Sequence, residues 1–317
     1  MNVIIKILLV PILAIMGVTF CLGHQIAVVS VNGETFTCQS LQEAIDNASS
    51  GSVIYLSSGR YLIDDATVIT KKLCIIGIGY NAKSENSEGI SLIVGNLFFN
   101  ENSSGSSVMG CYLTGDVNIG YGGASVNDVV VKYCNINSIQ VQNNTCDGTV
   151  VNQNYIRRPA NVFRGTSFTN NIAYSVTGEF GRIINNLFFQ ESSVSMCYIA
   201  RNIFLVGQGI DSNSTYYDNL AKGDVGDYPV NIGDLEWADL FVKYNNATIS
   251  PASNFHFVED YETQYKDYGV YGGTGFNDSG QPPLPFIQAK SIPDQTDASG
   301  NLTIKIRVNT GEQTTDY

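Results

Sequence analysis

Residues 154–187 read NYIRRPANVFRGTSFTNNIAYSVTGEFGRIINNL, and three copies of one small motif lie within them: Asn154-Tyr155-Ile156, Asn170-Asn171-Ile172 and Asn185-Asn186-Leu187. The motif is Cys or Asn, any residue, then an aliphatic. Working outward, it recurs upstream as Cys111-Tyr112-Leu113 and Cys134-Asn135-Ile136, and downstream as Arg201-Asn202-Ile203 and Asp218-Asn219-Leu220. The aliphatic anchors are separated by 23, 20, 16, 15, 16 and 17 residues, a self-similarity that marks a repeat architecture. One coil of this length cannot bury its apolar side alone. Stacked coils do so by pairing as parallel strands about 4.7–4.9 Å apart, so that equivalent residues form ladders. The reading is an all-β chain, a single-stranded right-handed parallel β-helix. Aliphatic anchors are expected in one ladder and Cys111 and Cys134 at the start of another. Asn135, Asn171, Asn186, Asn202 and Asn219 suit a turn ladder, because Asn tolerates the left-handed conformation.

The ends of the stack need protection, since an open sheet end templates aggregation. Ser40-Leu41-Gln42-Glu43 reads as a capping box, and Leu41, Ala44, Ile45 and Ala48 share one helical face. A capping helix over about residues 40–48 is expected, followed by strands at Val53–Leu56 and Leu73–Ile76, with Gly59-Arg60-Tyr61 leading into another between them. Beyond about residue 222 the rhythm fades into an acidic, aromatic stretch up to Gly280. A Pro-rich segment, Gln281–Pro285, then precedes an alternating strand carrying Leu302, Ile304, Ile306 and Val308. The expected organisation is a signal peptide at 1–23, the β-helix at 24–222, and a C-terminal region at 223–317 that packs on the β-helix or extends it as a strand appendage.

The signal peptide rests on Lys6 followed by an apolar run from Ile7 to Phe20, too short for a comfortable membrane span and suited to an export signal. A lipid anchor at Cys21 is disfavoured by the bulky Phe20 before it. The mature chain holds no segment apolar enough to span a bilayer. Export to the periplasm, the cell surface or the medium follows. Six cysteines remain after cleavage, an even number that permits disulfides. There is no CxxC, and Cys111 and Cys134 read as buried free thiols acting as small hydrophobes. A net charge of −12 argues against nucleic acid and anionic membranes as partners.

Residues 35–79, TFTCQSLQEAIDNASSGSVIYLSSGRYLIDDATVITKKLCIIGIG, resemble the opening of pectin-lyase-like β-helices, where such a stretch supplies the capping helix and first coil. The later text DYGVYGGTGF and PPLPFIQAKSIPDQTDASGNLTIKI resembles the tail of exported bacterial β-helix proteins. The resemblance implies the fold. It leaves the activity open, because the superfamily includes polysaccharide lyases, glycoside hydrolases, esterases and non-enzymatic adhesins.

Lyase chemistry of this kind needs a base to abstract a proton beside a carboxylate, with calcium held by acids on adjacent coils. The best basic cluster is Arg157-Arg158 with Arg164, and Tyr112 and Tyr155 offer aromatic surface beside it. The spacing departs from the Arg-x-Pro-x-x-Arg run of pectate lyases. Asp128 and Asp147 nearly align relative to their anchors and are the calcium candidates. The Asn-Thr-Asp, Asp-Asp and Gly-His-Gly signatures of polygalacturonases are missing as a set. Asp64-Asp65 sits where a turn is expected. Gly-rich 271–275 lacks the Lys-Ser/Thr of a phosphate loop, and His256 lies between Phe255 and Phe257 as in an ordinary strand. The expected function is therefore a non-catalytic, exported β-helix protein that binds glycan or serves as an envelope surface module, with no required cofactor. The alternative is a divergent polysaccharide lyase or other carbohydrate-active enzyme acting on acidic polysaccharide.

Overall fold

The computed structural model describes residues 27–31, 34–63, 67–81, 89–142, 146–207, 213–222, 229–244, 253–283, 286–291 and 305–309. The signal-peptide reading of residues 1–23 and the turn at Asp64-Asp65 lie outside them. No helix among the described residues is long and apolar enough to cross a membrane. The chain is a parallel β-helix. Its coils contribute strands to an 11-stranded sheet A, a 10-stranded sheet B and a 7-stranded sheet C. Within a coil the chain passes from A to B to C and back through a longer turn to A.

The first end is closed much as the sequence predicts. The helix Leu41–Asn47 is capped by Ser40, whose Oγ accepts the Glu43 N–H at 3.1 Å. The Glu43 carboxylate returns to the N–H of Gln39, one residue earlier than a standard capping box. Leu41, Ala44, Ile45 and Ala48 are buried against the first coil. An antiparallel hairpin, Ala27–Val31 with Glu34–Cys38, continues sheet A past its first parallel strand, Ser52–Leu56.

The interior is a set of apolar columns. Sheet A sends in Ile54, Ile75, Val108, Val131, Val151, Phe168, Ile183 and Ile199. Sheet B sends in Leu113, Ile136, Ile156, Ala173, Phe188 and Phe204. Phe188 stacks between Phe168 and Phe204, with ring centroids 6.2 and 5.2 Å away.

These pairings correct the frame of the repeat. Ile156 pairs with Ala173, and Tyr155 pairs with Ile172. The predicted anchors Ile172, Leu187, Ile203 and Leu220 are therefore one residue out of step with Leu113, Ile136 and Ile156, and point away from the interior. The late coils carry two adjacent apolar residues, one for each face of sheet B, as parallel strands buried on both sides do. The asparagine ladder is corrected in the same way. Its members are Asn154, Asn171, Asn186, Asn202 and Asn219, with Cys134 and Cys111 in the same column, so the cysteines and asparagines form one ladder rather than two. Asn135 is outside it, because it pairs with Tyr112 and Tyr155 on the outer face. The left-handed residues precede this column by one: Gly110, Tyr133, Gln153, Asn170, Asn185, Arg201 and Asp218 all have φ between 48° and 66°.

The coil rhythm runs slightly further than residue 222, through a last sheet B strand at Pro229–Asn231. The chain then turns back along the outside of sheet B and covers it. Trp237, Leu240, Phe241, Phe255, Tyr265 and Val270 pack on Tyr155, Ile172, Leu187, Ile203 and Leu220 in a second apolar cluster. The indole of Trp237 donates to the Leu205 carbonyl at 3.0 Å. Asn170 and Asn185, at left-handed positions, donate to the carbonyls of Val270, Gly272 and Asp267 and fasten the covering segment down. The acidic, aromatic region is thus a cover over a sheet face that would otherwise be bare and apolar. Phe286–Ser291 and Lys305–Asn309 form an antiparallel hairpin. Its second strand realises part of the predicted alternating strand, whose Leu302 and Ile304 lie outside the described residues.

Candidate functional site

The sequence candidates divide between two corners of the coil. Arg157 and Arg158 follow the sheet B strand Tyr155–Ile156 and precede the sheet C strand Ala160–Val162. Asp128, Asp147 and Arg164 each lie in a turn that leads from sheet C back to sheet A. The five charged candidates do not form one groove.

Arg157 is engaged in holding coils together. Its guanidinium donates to Asn135 Oδ1 at 2.6 Å and to the Leu113 carbonyl at 2.8 Å, so one side chain ties three successive coils. It also lies over the Tyr112 ring, 4.8 Å from the centroid. Burial lowers its pKa, while the neighbouring Tyr112 and Asp116 act in the opposite sense. Tyr155 is 2% exposed, wedged edge-to-face between Tyr80 and Phe276, and burial raises its hydroxyl pKa. Neither Tyr155 nor the Arg157 fork is presented to a ligand. Arg158 and Arg164 are exposed.

Asp128 and Asp147 are neighbours, with the Asp128 N–H donating to the Asp147 carbonyl at 2.9 Å. Each serves its own turn: Asp128 adopts φ 57°, and Asp147 Oδ1 accepts the Gly148 N–H at 2.7 Å. Among the described residues no group of three or more His, Cys, Asp or Glu is placed to hold a metal ion. All six described cysteines are free thiols, and five of them are buried. Burial pushes the Cys134 thiol up to about 12 and raises Cys111 as well, so both remain protonated and unreactive.

Sheets A and C both keep exposed outer faces, and the outer face of sheet C carries a polar column. Pairing between its strands aligns Phe98, Asn118, Gln140, Asn161, Thr177 and Ser193 in one outer column, in which Asn118 is itself buried. This spans five coil steps, about 24 Å. The triplets behind it are legible in the sequence: Val117-Asn118-Ile119, Ile139-Gln140-Val141, Ala160-Asn161-Val162 and Val176-Thr177-Gly178 all place a polar residue between small or aliphatic ones. The charged candidates lie at the corners instead, and the aromatic candidates Tyr112 and Tyr155 on sheet B strands.

The two ends of the column differ. At the early end Phe98 meets Tyr121 edge-to-face at 4.6 Å. Asn118 is occupied by Gln142 at 2.8 Å, and Gln140 donates to Ser138 Oγ at 2.6 Å. At the late end a groove of about 510 Å³ is lined by Asn161, Phe163, Thr177, Glu179, Ser193 and Ser195, with Gly178 and Val194 in its floor. That volume falls in the range of ordinary ligand sites. The side chains of Asn161, Glu179, Ser193 and Ser195 make no hydrogen bond to other described residues, so their polar atoms face solvent. A Cβ at Gly178, whose φ is 131°, would lie 1.7 Å from the Val162 carbonyl oxygen. Only glycine lets the floor sit this close to the preceding coil.

Phe180 and Met196 follow the lining residues Glu179 and Ser195. Both are left-handed, with φ 57° and 52°, and both are 49% exposed. The corresponding turns of earlier coils use Gly105, Asp128, Gly148 and Gly165. A large residue in this conformation costs about 1 kcal/mol. The conformation belongs to the turn and recurs from coil to coil; what sets these two positions apart is a large, half-exposed apolar side chain.

No family model, curated protein or solved structure matches this chain.

Proposed function

We propose that this chain is an exported, non-catalytic β-helix protein of the pectin-lyase-like type that binds glycan along the outer face of sheet C. The observation that carries this reading is the contrast between two faces. The apolar outside of the later sheet B coils is covered by the following segment, whereas the outside of sheet C carries a column of amides and hydroxyls, open at its late end, with aromatic rings near both ends. Sugars offer hydroxyls for the polar groups and apolar C–H faces for the rings. The column repeats at the coil spacing, so an extended chain of sugar rings would meet equivalent groups step after step.

The division of the charged candidates between two corners, with the Arg157 fork committed to main-chain and side-chain oxygens, supports binding without turnover. A glycan array, followed by an ultraviolet assay for unsaturated products with and without calcium, tests the reading. Binding without product formation is expected. Calcium-dependent turnover of an acidic polysaccharide would replace it with the lyase reading.

A further inference from the structure

We infer that the groove at the late end of sheet C selects uncharged pyranose chains, with Phe163 in its lining and Phe180 and Met196 on the turns that directly follow the lining residues Glu179 and Ser195; this rests on the glycan-binding reading. The ionisable group lining the groove is Glu179, a carboxylate, and no cationic side chain lines it. A polyuronate would bring one carboxylate per sugar toward Glu179 in a protein whose net charge is −12. An uncharged sugar meets the opposite situation. Its hydroxyls donate to the Glu179 carboxylate and to the Asn161 side-chain oxygen, and accept from the Asn161 amide and the Ser193 hydroxyl. None of these groups is bonded to another described side chain.

The apolar residues favour a sugar ring, and the charge of Glu179 decides which kind. Phe180 and Met196 are large, half-exposed, and held in a backbone conformation that glycine fills on earlier coils. Their side chains are not anchors of the interior, because the adjacent buried column, with Thr166, Gly181 and Cys197, closes the core behind them. Phe163, partly buried, packs against that core and lines the groove from the preceding coil. The C–H-rich face of a pyranose ring is the complement of such side chains.

The test uses the full mature chain. Affinity electrophoresis and calorimetry are run against linear neutral polysaccharides (glucan, mannan, xylan) and against polygalacturonate and alginate. Binding to at least one neutral polymer, and not to the polyuronates, is expected. Phe180→Gly relieves the left-handed strain, so it is expected to raise the Tm while weakening neutral-glycan binding about tenfold. Loss of binding in that variant cannot then be ascribed to misfolding. Glu179→Gln is expected to narrow the gap between neutral and acidic polymers. Tighter binding of polyuronates by the wild type would overturn the inference and leave the glycan reading standing. Absence of binding to every polymer would overturn both. Unchanged affinity in Phe180→Gly would overturn the part given to Phe180.

Discussion

The Oδ1 of Asn171 accepts both the main-chain N–H and the side-chain Nδ2 of Asn154, each at 3.0 Å. The same double contact links Asn171 to Asn186, Asn186 to Asn202 and Asn202 to Asn219. Each Nδ2 also donates to a sheet A carbonyl of the preceding coil, as Asn186 does to Phe168 at 2.8 Å. The amide therefore does for the A-to-B turn what a ladder hydrogen bond does within a sheet. Asn186→Ala leaves buried donors and acceptors without partners, each costing about 1–3 kcal/mol. Urea denaturation is expected to show a loss of several kcal/mol. Asn135→Ala, outside the ladder, is expected to cost less, through the loosened Arg157 contact.

Thr149 and Thr166 occupy one buried column on adjacent coils, and neither hydroxyl oxygen has a hydrogen-bond partner among the described residues. Replacing an unpaired buried hydroxyl by a methyl removes a desolvation penalty and keeps the shape. Thr149→Val and Thr166→Val are each expected to be neutral or to stabilise by up to about 1 kcal/mol. Thermal unfolding checks this, and a clear destabilisation would mean that the hydroxyls are bonded.

Trp237 is the single tryptophan of the chain and sits in the covering segment, 5% exposed and stacked on Phe241. Its fluorescence is expected to be blue-shifted in the native protein. Trp237→Ala deletes a large buried ring and is expected to cost about 3–5 kcal/mol. It is also expected to increase binding of an apolar dye, because Leu187, Ile203 and Leu220 lose their cover. Unchanged dye binding would show that the cover stays in place without its ring.

The buried thiols give the protein an alkaline limit. Cys134 has its pKa raised by burial from 9.0 to about 12, and Cys111 is raised in the same direction. In the unfolded chain these thiols ionise first, so the unfolded state binds fewer protons at high pH. Their contribution is fully present below about pH 9 and is lost as the pH rises toward 12. Denaturation midpoints are expected to fall across that window, and Cys134→Ser is expected to flatten the fall.

The coil repeat and the capping helix are legible in the sequence because both depend on local periodicity. The frame of the repeat is harder to read. Cys134-Asn135-Ile136 has one aliphatic after its ladder residue and fixes the inward position. Asn171-Ile172-Ala173 and Asn186-Leu187-Phe188 have two apolar residues, and nothing local tells which faces inward. The choice depends on a covering segment that begins some 60 residues later. The site is obscured for a related reason. Arg157 carries the charge that binding chemistry favours, but tertiary contacts commit it to Asn135 and Leu113. Asn161 and Ser193 look like routine strand residues, and only the stacking of coils aligns them in one open column.

The central claim is that ligand binds on the outside of sheet C, and hydroxyl-radical footprinting with and without the best-binding glycan tests it most directly. Phe180 and Met196, both half-exposed, are predicted to be oxidised in the free protein and protected in the complex. Tyr198 and Tyr217, exposed on the outside of sheet A, are predicted to react equally in both. Protection at Tyr198 and Tyr217 with none at Phe180 and Met196 would contradict the account.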